Sequence, residues 1–377
     1  MNKEDYPERE EMRERSQRIE QEKKQQKEEN ASLKNKMKEK LQKGIEKRTK
    51  KTFWTRYRDY IAYSAIALIV LILVKLNLAG GMTNLSDTLV NEDTRIQEHN
   101  ASKKGYSLKL QGFFQGMTQA QATELFKNSL TNKKTKPRCN TTNLQDVVLP
   151  ESHNFYQQNP NCRFNEVQPK CAASYALAPA SAYRNRFCKF NMGEDFTPSL
   201  DYLFNCDTKN NRGCKKGFLL RSLDFVNDAG YVSEKCFKDL NSEEGKCPSE
   251  SELSSCQHYK LNGYCVLEGV DDIKREMFKN GPVVTIIQPF HSFLLYNKGL
   301  YNIDENETKL DGLQAVKIIG WDTDNNGKEW WIIENFWGQN WGEDGTARVL
   351  IGSEDSLLDK FAVAIYPAFL ETTSAEV

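Results

Sequence analysis

Apolar positions along this chain fall into three regimes. In the first 50 residues they are sparse, but Leu33, Met37, Leu41 and Ile45 recur every fourth position within a lysine-rich tract, as one face of a helix would. An uncharged run then extends from Ile61 to Val74. Taken from Tyr60 to Ala79, with Lys75 near its end, it has the roughly 20 residues needed to cross a hydrocarbon core. Beyond residue 80 the pattern breaks into short periodic elements. It predicts a strand over 106–110 and a helix over about 118–127. Tyr175 to Phe187 reads as a helix with Ala176, Ala180 and Tyr183 on one face, and Pro179 is expected to kink it or displace a turn. Leu219–Asn227 reads as a second helix closed by Gly230, and Ile273–Phe278 as a third. Branched and aromatic content predicts strands over 281–287, 315–321 and 330–334.

Charge gives the apolar run a direction. The whole chain of 377 residues balances 52 basic against 52 acidic residues, so no overall field points to a nucleic-acid partner. Its first 50 residues hold 16 Lys/Arg and 12 Asp/Glu with one aromatic residue, Tyr6, and cannot form a core of their own. Lys40, Lys43, Lys47, Arg48, Lys50, Lys51, Arg56 and Arg58 precede the run, opposed only by Glu46 over the interval 40–58. The positive-inside rule puts that flank in the cytoplasm and the remainder in a lumenal or extracellular space. Trp54, Tyr57, Tyr60 and Tyr63 would anchor the cytoplasmic interface. A cleaved signal peptide is the rival reading, disfavoured by a leader of about 60 residues. The expectation is a charged segment 1–59, a transmembrane helix 60–79, a connector 80–138 and a folded domain 139–370. A mitochondrial inner-membrane placement, with the domain in the intermembrane space, is the alternative.

All ten cysteines lie between Cys139 and Cys265. Their even number and clustering beyond the span suggest a disulfide framework, with a stapled insertion over about 237–264. No Cys-x-x-Cys pair occurs and the chain has four histidines, so neither a zinc site nor any other cofactor is expected. Four Asn-x-Ser/Thr triplets follow the span, at Asn84, Asn100, Asn140 and Asn306, and would make a lumenal domain a candidate glycoprotein.

Three stretches carry the chemistry. Gln168-Pro169-Lys170-Cys171-Ala172-Ala173-Ser174-Tyr175-Ala176 resembles the active-site segment of papain-like cysteine peptidases. Leu313-Gln314-Ala315-Val316 resembles the stretch holding their histidine. Trp330 to Gly345, with Asn335 and two Trp-Gly pairs, resembles their asparagine segment, although Glu334 and Phe336 stand where the family has Lys and Ser. Asn280 to Val283 matches the opening of the second lobe. The resemblance implies an α+β, two-lobed papain-like fold, a helical lobe and a β-sheet or barrel lobe, behind the single N-terminal transmembrane helix. It also implies a short helix over 200–206 and, within 80–138, the tail of a degenerate propeptide. Cys162 and Cys188 resemble the extra bridge of the cathepsin B-like branch, and family precedent would join Cys171 to Cys214 and Cys206 to Cys236.

The catalytic positions are degenerate. Papain-like hydrolysis needs a thiolate, a histidine that takes and returns its proton, an amide that orients the histidine, and an oxyanion donor. This chain offers Ser174, Gln314, Asn335 and Gln168 in those places. Gln314 has no proton affinity near neutral pH, so the cluster reads as neutral, with Gln314 donating to Ser174 and accepting from Asn335. His291 is the most plausible substitute base. The groove is altered as well. Lys215, Lys216 and Gly217 replace a two-glycine turn, Leu313 precedes the lost histidine, and Trp337 lines the other side. The reading is a membrane-anchored, inactive papain-like homologue, a pseudopeptidase acting as a binding or structural subunit, with membrane lipid and protein partners. The alternatives are an atypical peptidase with a serine nucleophile, or a function carried by the N-terminal segment through lipid headgroups or a partner helix.

Overall fold

The computed structural model describes residues 21, 23–41, 88–102, 104–130, 137–190, 196–209, 211–238, 245–302, 307, 309–353 and 357–368. The expected span over 60–79 lies outside them. No described helix is long and apolar enough to cross a membrane. The chain divides into two units, Met1–Met82 and Thr83–Val377. Within the first, residues 21–41 are helical, with residue 22 not described.

The second unit is α+β. Its largest sheet runs in the order Tyr106–Leu108, Tyr296–Tyr301, Thr346–Leu350, Glu329–Glu334, Gln314–Thr323, Val283–Ile287, Ala362–Pro367 and Leu261–Leu267, and His153–Asn154 also pairs with the long strand 314–323. Each neighbouring pair is antiparallel except 296–301 with 346–350. The period of two divides the central strands between two cores. Val283, Ile287, Val316 and Ile318 pack among Phe293, Trp331 and Trp341. Val284, Ile286 and Ala315 face the opposite way, into a core shared with the helices Ser174–Phe190, Leu200–Cys206 and Leu219–Ala229. Burial on both faces explains why 283–287 is apolar at four of its five positions rather than alternating, with the one polar residue, Thr285, donating to the carbonyl of Phe361.

Buried charge docks the central helix, Ser174–Phe190, against the sheet. Arg186 and Glu276 are both fully buried and meet at 2.8 Å, and Arg186 also donates to the carbonyls of Gly281, Pro282 and Ile365. One face further along, Lys317 Nζ reaches Glu334 Oε2 at 2.5 Å, Asn185 Oδ1 at 2.6 Å and Ser181 Oγ at 2.7 Å. Tyr156 donates its hydroxyl to the same Glu334 oxygen at 2.6 Å. Lys317 and Glu334 are cross-strand partners, so the glutamate at the position where papain-like enzymes carry lysine is matched by a lysine on the next strand. The helix runs unbroken through Pro179, against the expected displacement of a turn.

Residues 88–130 are part of this body rather than a spacer. The expected strand and helix appear as Tyr106–Leu108 and Gln119–Glu124, the latter opened by a capping box between Thr118 and Gln121. Val90, Ile96, Tyr106, Leu108, Phe114, Leu125 and Phe126 are all buried in the core that contains Phe293, Tyr296 and Trp341.

All ten cysteines are paired. Cys162–Cys188 and Cys171–Cys214 are the expected bridges. The expected Cys206–Cys236 bridge is wrong: Cys206 joins Cys247 and Cys236 joins Cys256, and Cys139 joins Cys265. A two-residue antiparallel ladder, 231–232 against 258–259, closes the base of the insertion and brings Cys236 beside Cys256. The insertion also ends earlier than expected, because Leu261–Leu267 is an edge strand of the large sheet.

The Lys317 cluster makes a quantitative prediction. Lys317→Met leaves the mostly buried Glu334 carboxylate without its cation and should lower unfolding stability by about 3–5 kcal/mol. Lys317→Met with Glu334→Leu should recover much of that loss in urea titrations. A Lys317→Met variant as stable as the parent would show that the Lys317 cluster, with its bonds to Ser181 and Asn185, does not hold the helix to the sheet.

Candidate functional site: a degenerate peptidase centre

Ser174 opens the central helix and is completely buried. Its Oγ accepts from Ala315 N at 3.1 Å and from Asn128 Nδ2 at 3.0 Å. The first donor comes from the residue after Gln314, so both halves of the expected site meet. The second comes from 46 positions upstream, and nothing in the local pattern around Asn128 announces it.

Gln314 does not bond to Ser174 as expected. Its Nε2 donates to Gln168 Oε1 at 2.9 Å and to Asn335 Oδ1 at 3.0 Å. Gln168 in turn donates Nε2 to the carbonyl of Cys171 at 2.7 Å, so the amide expected to serve an oxyanion is already engaged. Asn335 Oδ1 also accepts from Phe336 N. Gln314 Oε1, Asn335 Nδ2 and Asn128 Oδ1 have no protein partner, so the amide network is connected but not saturated. The cluster is four amides and one hydroxyl, none of which titrates in the physiological range.

None of the four histidines is among the partners of Ser174 Oγ, which are Ala315 N and Asn128 Nδ2. His291 is buried, neither ring nitrogen makes a hydrogen bond, and burial assisted by the charge of Arg95 lowers its pKa to about 3. His153 packs against Trp321 and Phe278 with both nitrogens likewise unbonded, its pKa lowered to about 4 by burial and by Lys189. His258 Nδ1 meets the carbonyl of Ala229, and His99 Nε2 that of Tyr106.

The groove expected to receive a ligand is filled by residues 126–130 of the same chain. Asn128–Ser129 pairs in parallel with Gly217–Phe218, and Leu220 N extends the contact to the carbonyl of Leu130. Across the groove, Leu313 N donates to the carbonyl of Phe126 at 2.8 Å. Trp337 packs against Phe113, Phe114 and Phe126 with ring centroids 5.0–6.0 Å apart. Lys215 and Lys216 stay exposed at the rim, with Lys216 Nζ over the Phe218 ring. Two glycines make the close approaches possible. A Cβ at Gly217 would fall 2.2 Å from the Tyr175 ring, and one at Gly312, where φ is +95°, would fall 1.7 Å from the carbonyl oxygen of Phe126.

Geometry and sequence converge on one family. The description "Papain family cysteine protease" matches residues 149–365, and the chain belongs to that family. Among curated relatives, bovine (Bos taurus) tubulointerstitial nephritis antigen is 31% identical over 242 residues, covering 55% of this chain and 50% of that protein. Cathepsin B-like CP2 of Giardia intestinalis is 28% identical over 268 residues, covering 67% of this chain and 86% of that protein. The chain thus spans about half the length of the first relative and most of the second. The solved structure of proCathepsin B S9 from Trypanosoma congolense superposes with a TM-score of 0.65 at 26% identity, over 74% of this chain and 99% of that one. The cathepsin B-like resemblance read from the cysteines is thereby shown.

Without a base at Ser174, a fluorophosphonate probe should leave this residue unlabelled. Ser174→Cys with Gln314→His should at best hydrolyse fluorogenic peptides weakly, because Gln168 remains tied to Cys171 and residues 126–130 remain in the groove; a misplacement of about 1 Å alone costs roughly a hundredfold. Stoichiometric labelling of Ser174 in the parent protein would contradict the assignment.

Proposed function

We propose that this papain-family chain does not hydrolyse peptides and serves as a membrane-anchored binding or structural subunit. The observation that carries the reading is the surroundings of Ser174 Oγ: two neutral donors, no titratable partner, and one of those donors belonging to the chain's own groove-filling segment. Peptide hydrolysis requires deprotonation of the nucleophile and protonation of the leaving amine. Ser174, Gln314, Asn335 and Gln168 supply neither step. What they do supply is cohesion between the lobes, so the machinery of a peptidase becomes an internal interface.

The anchoring half of the proposal draws on the apolar stretch 60–79, the basic flank before it, and ten cysteines in five bridges. Such a bridge density fits a domain on the oxidising side of a membrane. The N-terminus is then cytoplasmic and the papain-like domain lumenal or extracellular. With the groove filled, partners meet the outer surface of the domain.

Two measurements separate the parts of this reading. In sealed microsomes, added protease should remove a tag at residue 1 and spare the papain-like domain until detergent is added; the reverse pattern would overturn the topology. A native pull-down in mild detergent should give a stoichiometric assembly that survives deletion of residues 1–50. Loss of the assembly on that deletion would move the binding function to the N-terminal segment.

A further inference from the structure

The helix over residues 21–41 makes no use of its apolar positions within the chain. Every described residue in it is exposed, including Leu33 at 69%, Met37 at 68% and Leu41 at 63%. A polar helix of this kind needs no partner, but a helix with three large apolar side chains on one line does. At about 100° per residue, Leu33, Met37 and Leu41 cover a stripe roughly 80° wide. Within residues 33–41 the lysines all flank it. Lys36 and Lys40 fall on one flank and Lys34 and Lys38 on the other, all within about 100° of the centre of the stripe, while Glu39 falls on the far side.

From this placement we propose that the helix lies on an anionic phospholipid surface, with Leu33, Met37 and Leu41 in the acyl boundary and Lys34, Lys36, Lys38 and Lys40 on the headgroups. Lysines on both flanks of an apolar stripe can lay their methylenes along the boundary while the ammonium groups reach the phosphates. A partner helix would place the same charges beside a second apolar seam, where two copies of this helix would repel. A bilayer rich in anionic headgroups instead matches the sign on both flanks at once.

The proposal rests on the anchored reading in one respect, the proximity of a bilayer. Leu41 and Tyr60 are 19 residue steps apart, a reach of at most about 65 Å, so the helix is within reach of the surface that the run 60–79 would cross. That proximity makes the binding effectively intramolecular and lets a short stripe suffice.

The ten native cysteines are all paired, so one introduced thiol can be labelled selectively in the full chain. Met37→Cys and Glu39→Cys, each carrying an environment-sensitive nitrobenzoxadiazole dye, are reconstituted in vesicles of phosphatidylcholine alone and of phosphatidylcholine with phosphatidylserine in a two-to-one mixture. The expected result is a blue shift and rise in emission at position 37 in the anionic vesicles, absent in the neutral ones, absent at position 39 and lost at high salt. Adding Lys36→Glu and Lys40→Glu should weaken the response at least about tenfold. A dye at position 37 that stays water-like in anionic vesicles, an equal response at positions 37 and 39, or a response that survives charge reversal would each overturn the proposal. So would a blue shift in detergent that grows with protein concentration, the sign of pairing between copies. Failure of the anchor shows separately, as protein that does not float with neutral vesicles; adding the same anionic vesicles to that soluble protein then reads the helix by itself.

Discussion

Two buried cations set the position of the central helix, and the rest of the papain-like body follows from it. Arg186 and Lys317 are fully buried, and each is surrounded by acceptors drawn from more than one element. Isolated, either would be prohibitively costly to remove from water. Arg186 sits on the helix Ser174–Phe190 and Lys317 on the strand 314–323, and their acceptors come from the strands 329–334 and 362–367, the helix Val270–Asn280 and the helix Ser174–Phe190, so those elements cannot slide past one another without stranding a charge. That restraint brings the N-terminal end of the helix against Ala315 and puts Ser174 where a peptidase would hold its nucleophile.

From there the site departs from the papain-family residue pattern by small changes with large chemical effect. A hydroxyl and a carboxamide replace the two groups that exchange protons, and the remaining amides bond to one another rather than to a reacting atom. The groove is occupied with the same economy. Gly312 lets main chain approach the carbonyl of Phe126, Gly217 leaves room for the Tyr175 ring, Trp337 receives three phenylalanines from residues 113–126, and Asn128 caps Ser174. In a peptidase such a segment restrains an activity. Around Ser174 and Gln314 it completes a core.

What was legible in the sequence divides along physical lines. The positions of Ser174, Gln314 and Asn335 could be read because each sits in a local stretch whose neighbours constrain it, and the helix and strands around them follow from periodicity. Contacts between distant segments could not. Asn128 reaches Ser174 across 46 residues by virtue of how a whole segment threads the groove. The bridge assigned to Cys206 and Cys236 failed because the true pairing is set by a ladder of two residues on each side, too short to leave a pattern. Glu334 stood out as a departure from the family, yet its meaning required the strand register that sets Lys317 opposite it.

The central claim is that Ser174 lies in a closed internal interface rather than at the floor of an open cleft. Alkylation of a Ser174→Cys variant by iodoacetamide tests it without any assumption about substrates, because the ten native cysteines are already bonded. The substitution changes one atom, and the thiol should react at least about a hundredfold more slowly in the native protein than in the same protein unfolded in urea, since reagent reaches it only through local opening. Alkylation of the native variant at close to the unfolded rate would mean that residues 126–130 do not cover the site, and the account of this chain as a filled, non-hydrolytic member of its family would fail.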